Sequence, residues 1–296
     1  MQSYAQDVKN ELARHFDDDS DCLRAEFIAL LTVGTKKIDG RIEISSTNAA
    51  VARKVITLAK KFFPNVKPEV AARRKKKLLK DLSYSVRLFL TDELKTFLAE
   101  VDSPDFLKRT RYKVAYLRGA FLAAGTVNRP EAQYLLQIAT KNAATTNFIR
   151  TLLEKLEFRA GFYQRRNFFV TWIREADSIC DFLGMIGATE AVERFEVARN
   201  VKEVRKQVSH IVNLETAALQ KAVDAAQRQI ADIKTLLRRK TRVSKKIREA
   251  MDMRLQNPAC TIGELAEKFS ITRNALSCRL QKIHRLAKRY KRKREV

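Results

Sequence analysis

The sequence predicts an α+β fold, in which a duplicated αββαββα domain precedes an all-α helix-turn-helix domain. Three observations predict it. A run of small and apolar residues, followed by strand-like stretches and a helix opening Asn-Ala-Ala, occurs twice in the first two thirds of the chain. Strand signals stop near Glu190, beyond which the pattern reads helical throughout. From Thr261 to Tyr290, two helical stripes flank a short turn. Self-similarity at a fixed offset is the signature of a duplicated unit.

The first copy opens on LRAEFIALLTVGT (Leu23–Thr35) and the second on LRGAFLAAGT (Leu117–Thr126), each ending in Gly-Thr, at Gly34 and Gly125. Ala25 and Ala29 in one copy, and Gly119, Ala123 and Ala124 in the other, strip bulk from one face. Two such helices can pack with their backbones near contact, which places a pseudo-twofold axis between the repeats. A strand-like stretch and the Asn-Ala-Ala helix follow, over Thr47–Phe63 and Lys141–Phe158. The offset is 91 residues between the glycines and 94 between Asn48 and Asn142. Later strands over Tyr84–Leu90 and Asn167–Ile173 correspond, each followed by a helical pattern, Thr91–Val101 and Arg174–Met185. The repeats are expected at about 20–105 and 112–190, within a domain of residues 1–195.

Ahead of the first repeat, Asp17-Asp18-Asp19-Ser20-Asp21 has the D-x-D-x-D spacing of a calcium loop. Cys22 stands where such a loop needs glycine, and Ile28 where it needs the bidentate acid. A helix N-terminus capped by Ser20 or Asp21 is the better reading, and no metal is expected. Between Arg73 and Lys80, six of eight residues are basic and none acidic, on a turn between two β segments. The corresponding turn of the second repeat carries Arg165 and Arg166. Arg73, Arg74, Lys75, Lys76, Lys77, Arg165 and Arg166 are therefore candidates for phosphate contact. Phe162, Tyr163, Phe168, Phe169 and Trp172 read as core rather than as stacking platforms.

In the helical part, Glu215–Arg239 carries Leu219, Val223, Ala226, Ile230, Ile233 and Leu237 at spacings of four and three. The stripe lasts under three heptads, so a helix packed on its own domain is expected rather than a coiled-coil dimer. Residues 196–240 form a helical linker on this reading, with Arg238–Arg242 an exposed connection into a domain of residues 241–296. There Thr261 can cap a short helix carrying Leu265, Ala266 and Phe269; Ile271 is buried in the turn and Thr272 caps the second helix. Leu276, Leu280 and Ile283 fall on one face of that helix, and Asn274, Cys278, Gln281 and Arg285 on the other, flanked by Arg273, Ser277 and Lys282. This is a helix-turn-helix whose second helix is polar and basic, as entry into a major groove requires. Asn and Gln read adenine edges and Arg reads guanine. The DNA-binding candidates are Thr272, Arg273, Asn274, Ser277, Cys278, Arg279, Gln281, Lys282, Arg285, Lys288 and Arg289. One departure is Ser270, where many such turns hold glycine. Lys288–Arg294, six basic residues in seven, is expected to be a mobile arm that adds phosphate affinity.

Composition narrows the function classes. The 296 residues carry 59 Lys+Arg against 34 Asp+Glu, a net charge of +25. The charge is uneven: residues 234–296 hold 20 basic and 5 acidic residues, whereas the scaffold outside this segment and Arg73–Lys80 is nearly neutral. A polyanion partner follows, nucleic acid first. The longest apolar run, Phe27–Val33, is far short of the ~20 residues that span a bilayer, and no secretory h-region is expected. Cys22, Cys180, Cys260 and Cys278 form no C-x-x-C pair and read as reduced thiols. His15, His210 and His284 lie on unrelated segments, and no glycine-rich phosphate loop occurs. The expectation is a cytoplasmic, nucleoid-associated binder of double-stranded DNA, with no cofactor, no metal and no membrane association.

The duplicated small-residue helices, each opening an αββαββα unit, resemble the LAGLIDADG homing-endonuclease fold. The resemblance implies an acidic residue just before each glycine, the pair holding divalent metals for phosphodiester hydrolysis. Val33 and Ala124 stand at those positions, so it implies a kept scaffold and a lost nuclease. Over nearly the whole chain the sequence resembles the WhiA family, most strongly in YLRGAFLAAGTVNRPE (Tyr116–Glu131), EADSICDFLGMIGA (Glu175–Ala188), VNLETA (Val212–Ala217) and Thr261–His284. That family joins a degenerate LAGLIDADG domain to a C-terminal helix-turn-helix. It commonly has cysteine where Leu214 stands, asparagine at Ala218 and Asn-His at Ser277-Cys278, the last pair bearing on sequence preference. The resemblance implies a sequence-specific transcription regulator of cell division, chromosome segregation or sporulation genes, with further transcription or cell-division proteins as partners. The alternatives are a LAGLIDADG-type endonuclease or maturase using displaced acids such as Glu26 or Asp39, or an RNA-binding protein. Oligomeric state is left open.

Overall fold

The computed structural model describes residues 3–38, 40–74, 82–100 and 108–292. The chain divides into two compact units, Met1–Glu203 and Val204–Val296.

The first unit begins with α1 (Tyr4–Arg14), which buries Tyr4, Val8, Leu12 and Ala13. The first repeat follows as α2 (Ser20–Thr32), β1 (Thr35–Ile38), β2 (Arg41–Ser46), α3 (Ala49–Phe62), β3 (Glu69–Arg74), β4 (Leu82–Phe89) and α4 (Asp92–Ala99). The second is α5 (Thr110–Ala124), β5 (Gly125–Val127), β6 (Leu136–Thr140), α6 (Ala143–Lys155), β7 (Gly161–Arg165), β8 (Phe168–Ile173) and α7 (Ala176–Met185). Both sheets are antiparallel and share one topology, β1-β2-β4-β3 and β5-β6-β8-β7. The duplication is thus complete, element for element.

The repeated Asn-Ala-Ala is a capping device. Asn48 accepts hydrogen bonds from the amides of Ala50 and Val51, and Asn142 accepts from Ala144, satisfying donors that the first turn of each helix leaves open. At α2 the cap is Asp19, whose carboxylate accepts from the Asp21 amide at 2.9 Å, one residue earlier than expected. Ser20 is already helical, and a carboxylate caps as well as a hydroxyl while adding favourable charge at the positive helix end.

Helices α2 and α5 pack face to face at the centre of the unit, buried almost all round from Leu23 to Leu31 and from Ala115 to Leu122. Gly119 sets their separation: a Cβ there would sit 2.2 Å from the Glu26 carbonyl oxygen and 2.8 Å from the Ala29 methyl. The sheets send Ile42, Ile44, Val86 and Leu88, and Leu136, Ile138 and Ile173, into the same core.

Helix α8 (Thr189–Arg238) is 50 residues long and crosses the division between the units. Its start is fastened to the first unit by Glu11, whose carboxylate accepts from the amides of Glu190 and Ala191 at 2.7 and 3.0 Å. The expected stripe is only partly buried: Ala226 and Ile233 are, whereas Leu219, Val223 and Leu237 are exposed and Leu236 takes the inward place. Asp232 and Ile233 are both buried, so the inward line runs between them and falls on Leu236 one turn later. In the second unit α9 (Lys245–Gln256), α10 (Ile262–Lys268) and α11 (Arg273–Arg292) enclose Ile233, Leu236, Ala250, Met251, Leu265, Leu276, Leu280 and Ile283. Buried Arg254 donates to the Cys260 carbonyl at 2.5 Å, closing the α9–α10 connection.

Candidate nucleic-acid interface

The α10–turn–α11 motif is built by local bonds. Thr261 and Glu264 form a capping box: the Thr261 hydroxyl accepts from the Glu264 amide at 3.3 Å, and the Glu264 carboxylate accepts from the Thr261 amide at 2.7 Å. The turn closes through the Ser270 amide to Glu267 O and the Ile271 amide to Ala266 O. Ser270 sits at φ +53°, the left-handed conformation that glycine adopts without cost. Ile271 is half-buried, less than expected. Thr272 caps α11 by accepting from the Ala275 amide at 3.3 Å.

Leu276, Leu280, Ile283 and Ala287 face the core, and the opposite side of α11 is open. Thr272, Arg273, Asn274, Cys278, Gln281, Lys282, Arg285, Lys288 and Arg289 are exposed, and Ser277 is half-buried. Arg279 lies off this face, half-buried and 3.9 Å from Glu249 of α9. Among the described residues, Arg273, Lys282, Arg285, Lys288 and Arg289 make no ion pair. The start of the expected mobile arm is a correction: residues 288–292 continue α11, since nothing in Lys-Arg-Tyr-Lys-Arg breaks a helix already under way. Residues 293 and 294 lie outside the described residues.

In the first unit, Arg73 is exposed on β3, opposite Ser83 of β4. Arg74 ends β3 opposite Leu82, and Lys75, Lys76 and Lys77 lie outside the described residues. Arg165 and Arg166 are exposed at the β7–β8 turn, Arg166 at φ +52°. The aromatic residues near them are not core. Phe162 and Phe168 are 41% and 43% exposed, and Tyr163, Phe169 and Trp172 are half-buried. Sequence alternation could not assign them, because both faces of β7 and β8 carry aromatic rings. The Arg174 guanidinium lies 4.2 Å over the Trp172 ring, and the Lys141 ammonium 5.8 Å from that of Phe168. These two cations escaped the sequence reading because neither belongs to the hairpin turn: Lys141 follows β6 and Arg174 follows β8.

At the foot of the α2–α5 pair, Val33 is fully buried and Ala124 partly so, and neither offers an oxygen to a metal. Higher in the pair, Glu26 is 0% exposed and held by the Lys54 ammonium and by Arg118, whose Nη1 is 3.5 Å from Oε2. Lys54, itself 1% exposed, also donates to the carbonyls of Leu12 and His15. Arg118 donates from Nε to the Ile186 carbonyl at 2.6 Å. Burial pushes the Glu26 carboxyl up and the Lys54 ammonium down, and each is held back by its contact with the other. A carboxylate so enclosed has no open side for a metal ion. Asp39 lies outside the described residues. Among the described residues, no cluster of three or more His, Cys, Asp or Glu could hold a metal, and no helix is long and apolar enough to cross a membrane.

A duplicated LAGLIDADG-like scaffold without acids at its two metal positions, followed by a helix-turn-helix, defines a distinct class of protein. The sequence matches the WhiA N-terminal LAGLIDADG-like domain over residues 20–102, the WhiA LAGLIDADG-like domain over 113–205 and the WhiA C-terminal HTH domain over 208–287. The chain belongs to the WhiA family. A relative from Desulforamulus reducens, named probable cell division protein WhiA, is 35% identical over 97% of this chain and 96% of its own. One of the same name from Halalkalibacterium halodurans is 34% identical with the same coverage. The fold matches the crystal structure of full-length DUF199/WhiA from Thermatoga maritima with a TM-score of 0.60, at 20% identity over 97% of this chain and 99% of that one.

Proposed function

We propose that the chain is a sequence-specific DNA-binding transcription regulator of bacterial cell division, without nuclease activity. Its relatives' name supports the process, and the helix-turn-helix supports the mode of action. The observation that carries the reading is the open side of α11, which carries Asn274, Gln281 and five cations that make no ion pair among the described residues. Arg273, Asn274, Ser277, Cys278 and Gln281 read base edges in a major groove, and Thr272, Lys282, Arg285, Lys288 and Arg289 meet phosphate. Arg279, paired with Glu249, positions α11 against α9. Arg73, Arg74, Lys75, Lys76, Lys77, Arg165 and Arg166 add phosphate contacts from the first unit. The protein works in the cytoplasm at the nucleoid, on genes of division, chromosome segregation or sporulation, with other transcription or cell-division proteins as partners.

Val33 and Ala124, together with the sealed state of Glu26, support the absence of cleavage. A genome-wide footprint, followed by binding and cleavage assays on the recovered duplexes, tests the whole reading. Protection of discrete promoter sites without metal is expected. Magnesium-dependent cut ends would sink it in favour of a nuclease or maturase, and RNA outcompeting duplex DNA at physiological salt would sink it in favour of an RNA-binding protein.

A further inference from the structure

Within the second unit, a recess of about 490 Å³ lies between α8 and α11 and is also lined by Ile262, the start of α10. Its α8 wall includes Arg228 and Asp232, one helical turn apart and therefore on one face. Its α11 wall includes Ser277, Gln281, His284 and Arg285. Asp232 is only 4% exposed, and its Oδ2 lies 2.6 Å from His284 Nδ1. That bond ties α8 to α11 at the level of the two arginines. Arg228 and Arg285 are both exposed, line the same space, and make no ion pair among the described residues.

Arg228 and Arg285 line one recess whose carboxylate, Asp232, is buried and bonded to His284, and their planar forks suit phosphate oxygens. Gln229, also in the wall, has a buried Oε1 without a hydrogen bond. The recess is continuous with the open face of α11 through Ser277 and Gln281. A duplex lying on that face therefore carries its own backbone past the mouth.

We infer that the recess between α8 and α11 seats a DNA backbone phosphate, gripped by Arg228 from one side and Arg285 from the other. The Asp232–His284 pair acts as a positioning device that fixes their separation. The inference rests on the DNA-binding reading, and it makes α8, outside the helix-turn-helix proper, part of the interface. Being a phosphate contact, it adds affinity without sequence preference.

The test uses the full chain, duplexes of several unrelated sequences and a salt titration. Arg228→Gln should weaken binding to every duplex by the same factor, about 5–10-fold, and reduce the slope of log K against log salt by about 0.9. Because Arg228 is exposed, the variant should melt with the wild type. In an Asp232→Asn background the same substitution should cost less than in the wild type, since the seat is already displaced; a merely structural Asp232 would leave the two effects additive. An unchanged salt slope in Arg228→Gln, with wild-type binding intact, overturns the seat and leaves the DNA reading standing. Wild-type protein with no salt-dependent duplex binding overturns both. If inorganic phosphate shifts the Arg228 and Arg285 guanidinium resonances while Arg228→Gln leaves DNA binding unchanged, the site belongs to a free anion and the assignment to DNA fails.

Discussion

The two units treat their cations in opposite ways. Lys54 and Arg118 lie in the interior of the first, held by Glu26, Asp17 and three main-chain carbonyls. Arg273, Lys282, Arg285, Lys288 and Arg289 stand in water on α11 with no counterion among the described residues. A buried charge cluster cannot trade its partners for a ligand, because uncovering one member strands the others. An exposed cationic face releases only screened counterions when a polyanion arrives. The helix pair is accordingly suited to a scaffold, and the proposed DNA contacts fall where charge is accessible and without an ion pair among the described residues.

The largest effect that can break this contrast is expected at Glu26. Glu26→Ala removes the buried carboxylate that Lys54 and Arg118 share, which should destabilise the first unit by about 3–5 kcal/mol. The chain has a single tryptophan, Trp172, on β8 of that unit, so its fluorescence in denaturant follows the unit directly. A loss below about 1 kcal/mol would mean that the cluster is hydrated and that Glu26 remains available to a metal. Gly119→Ala tests the same packing without touching charge. The added methyl meets main-chain atoms of α2, which cannot rotate away, so about 1–3 kcal/mol or more should be lost by the same fluorescence measurement.

On α11 the expectation reverses, with binding lost and folding kept. Arg273→Ala or Asn274→Ala should lower specific affinity by about 1–3 kcal/mol each if the side chain makes a good base contact. Both residues are exposed and contribute nothing to the core, so the melting temperature should stay within error of the wild type. Unchanged discrimination between cognate and unrelated duplexes in both variants would move sequence reading off the start of α11.

Much of this contrast was legible in the sequence, and the illegible part has a common cause. The repeats could be read because Asn48 and Asn142 cap their own helices within three residues, and the small residues of α2 and α5 recur in step. The open face of α11 could be read because a helix maps sequence spacing directly onto angle. The Glu26–Lys54–Arg118 cluster could not, since its members lie on three helices and meet only when α2, α3 and α5 pack. Asp232 and His284 are separated by 52 residues and are equally invisible before folding. The exchange of Leu237 for Leu236, and of Ser20 for Asp19, shows the smaller error left when periodicity fixes an element but not its phase.

The smallest effect concerns the hinge between the scaffold-like and exposed parts of the second unit. Ser270 is held at φ +53° between α10 and α11, a conformation that costs a residue with a Cβ about 1 kcal/mol relative to glycine. Among the described residues no side-chain hydrogen bond of Ser270 offsets this, and the turn closes through the Ser270 and Ile271 amides. Ser270→Gly relieves the strain but frees the unfolded chain, so the net gain should be about 0.5 kcal/mol. Thermal unfolding of the second unit, followed by circular dichroism of the full chain, reads it. The substitution leaves the α11 face unaltered, so DNA affinity should not change. A rise in affinity would show instead that the turn is strained against the bound orientation of α11, and that the exposed face is less independent of its support than the two-unit contrast requires.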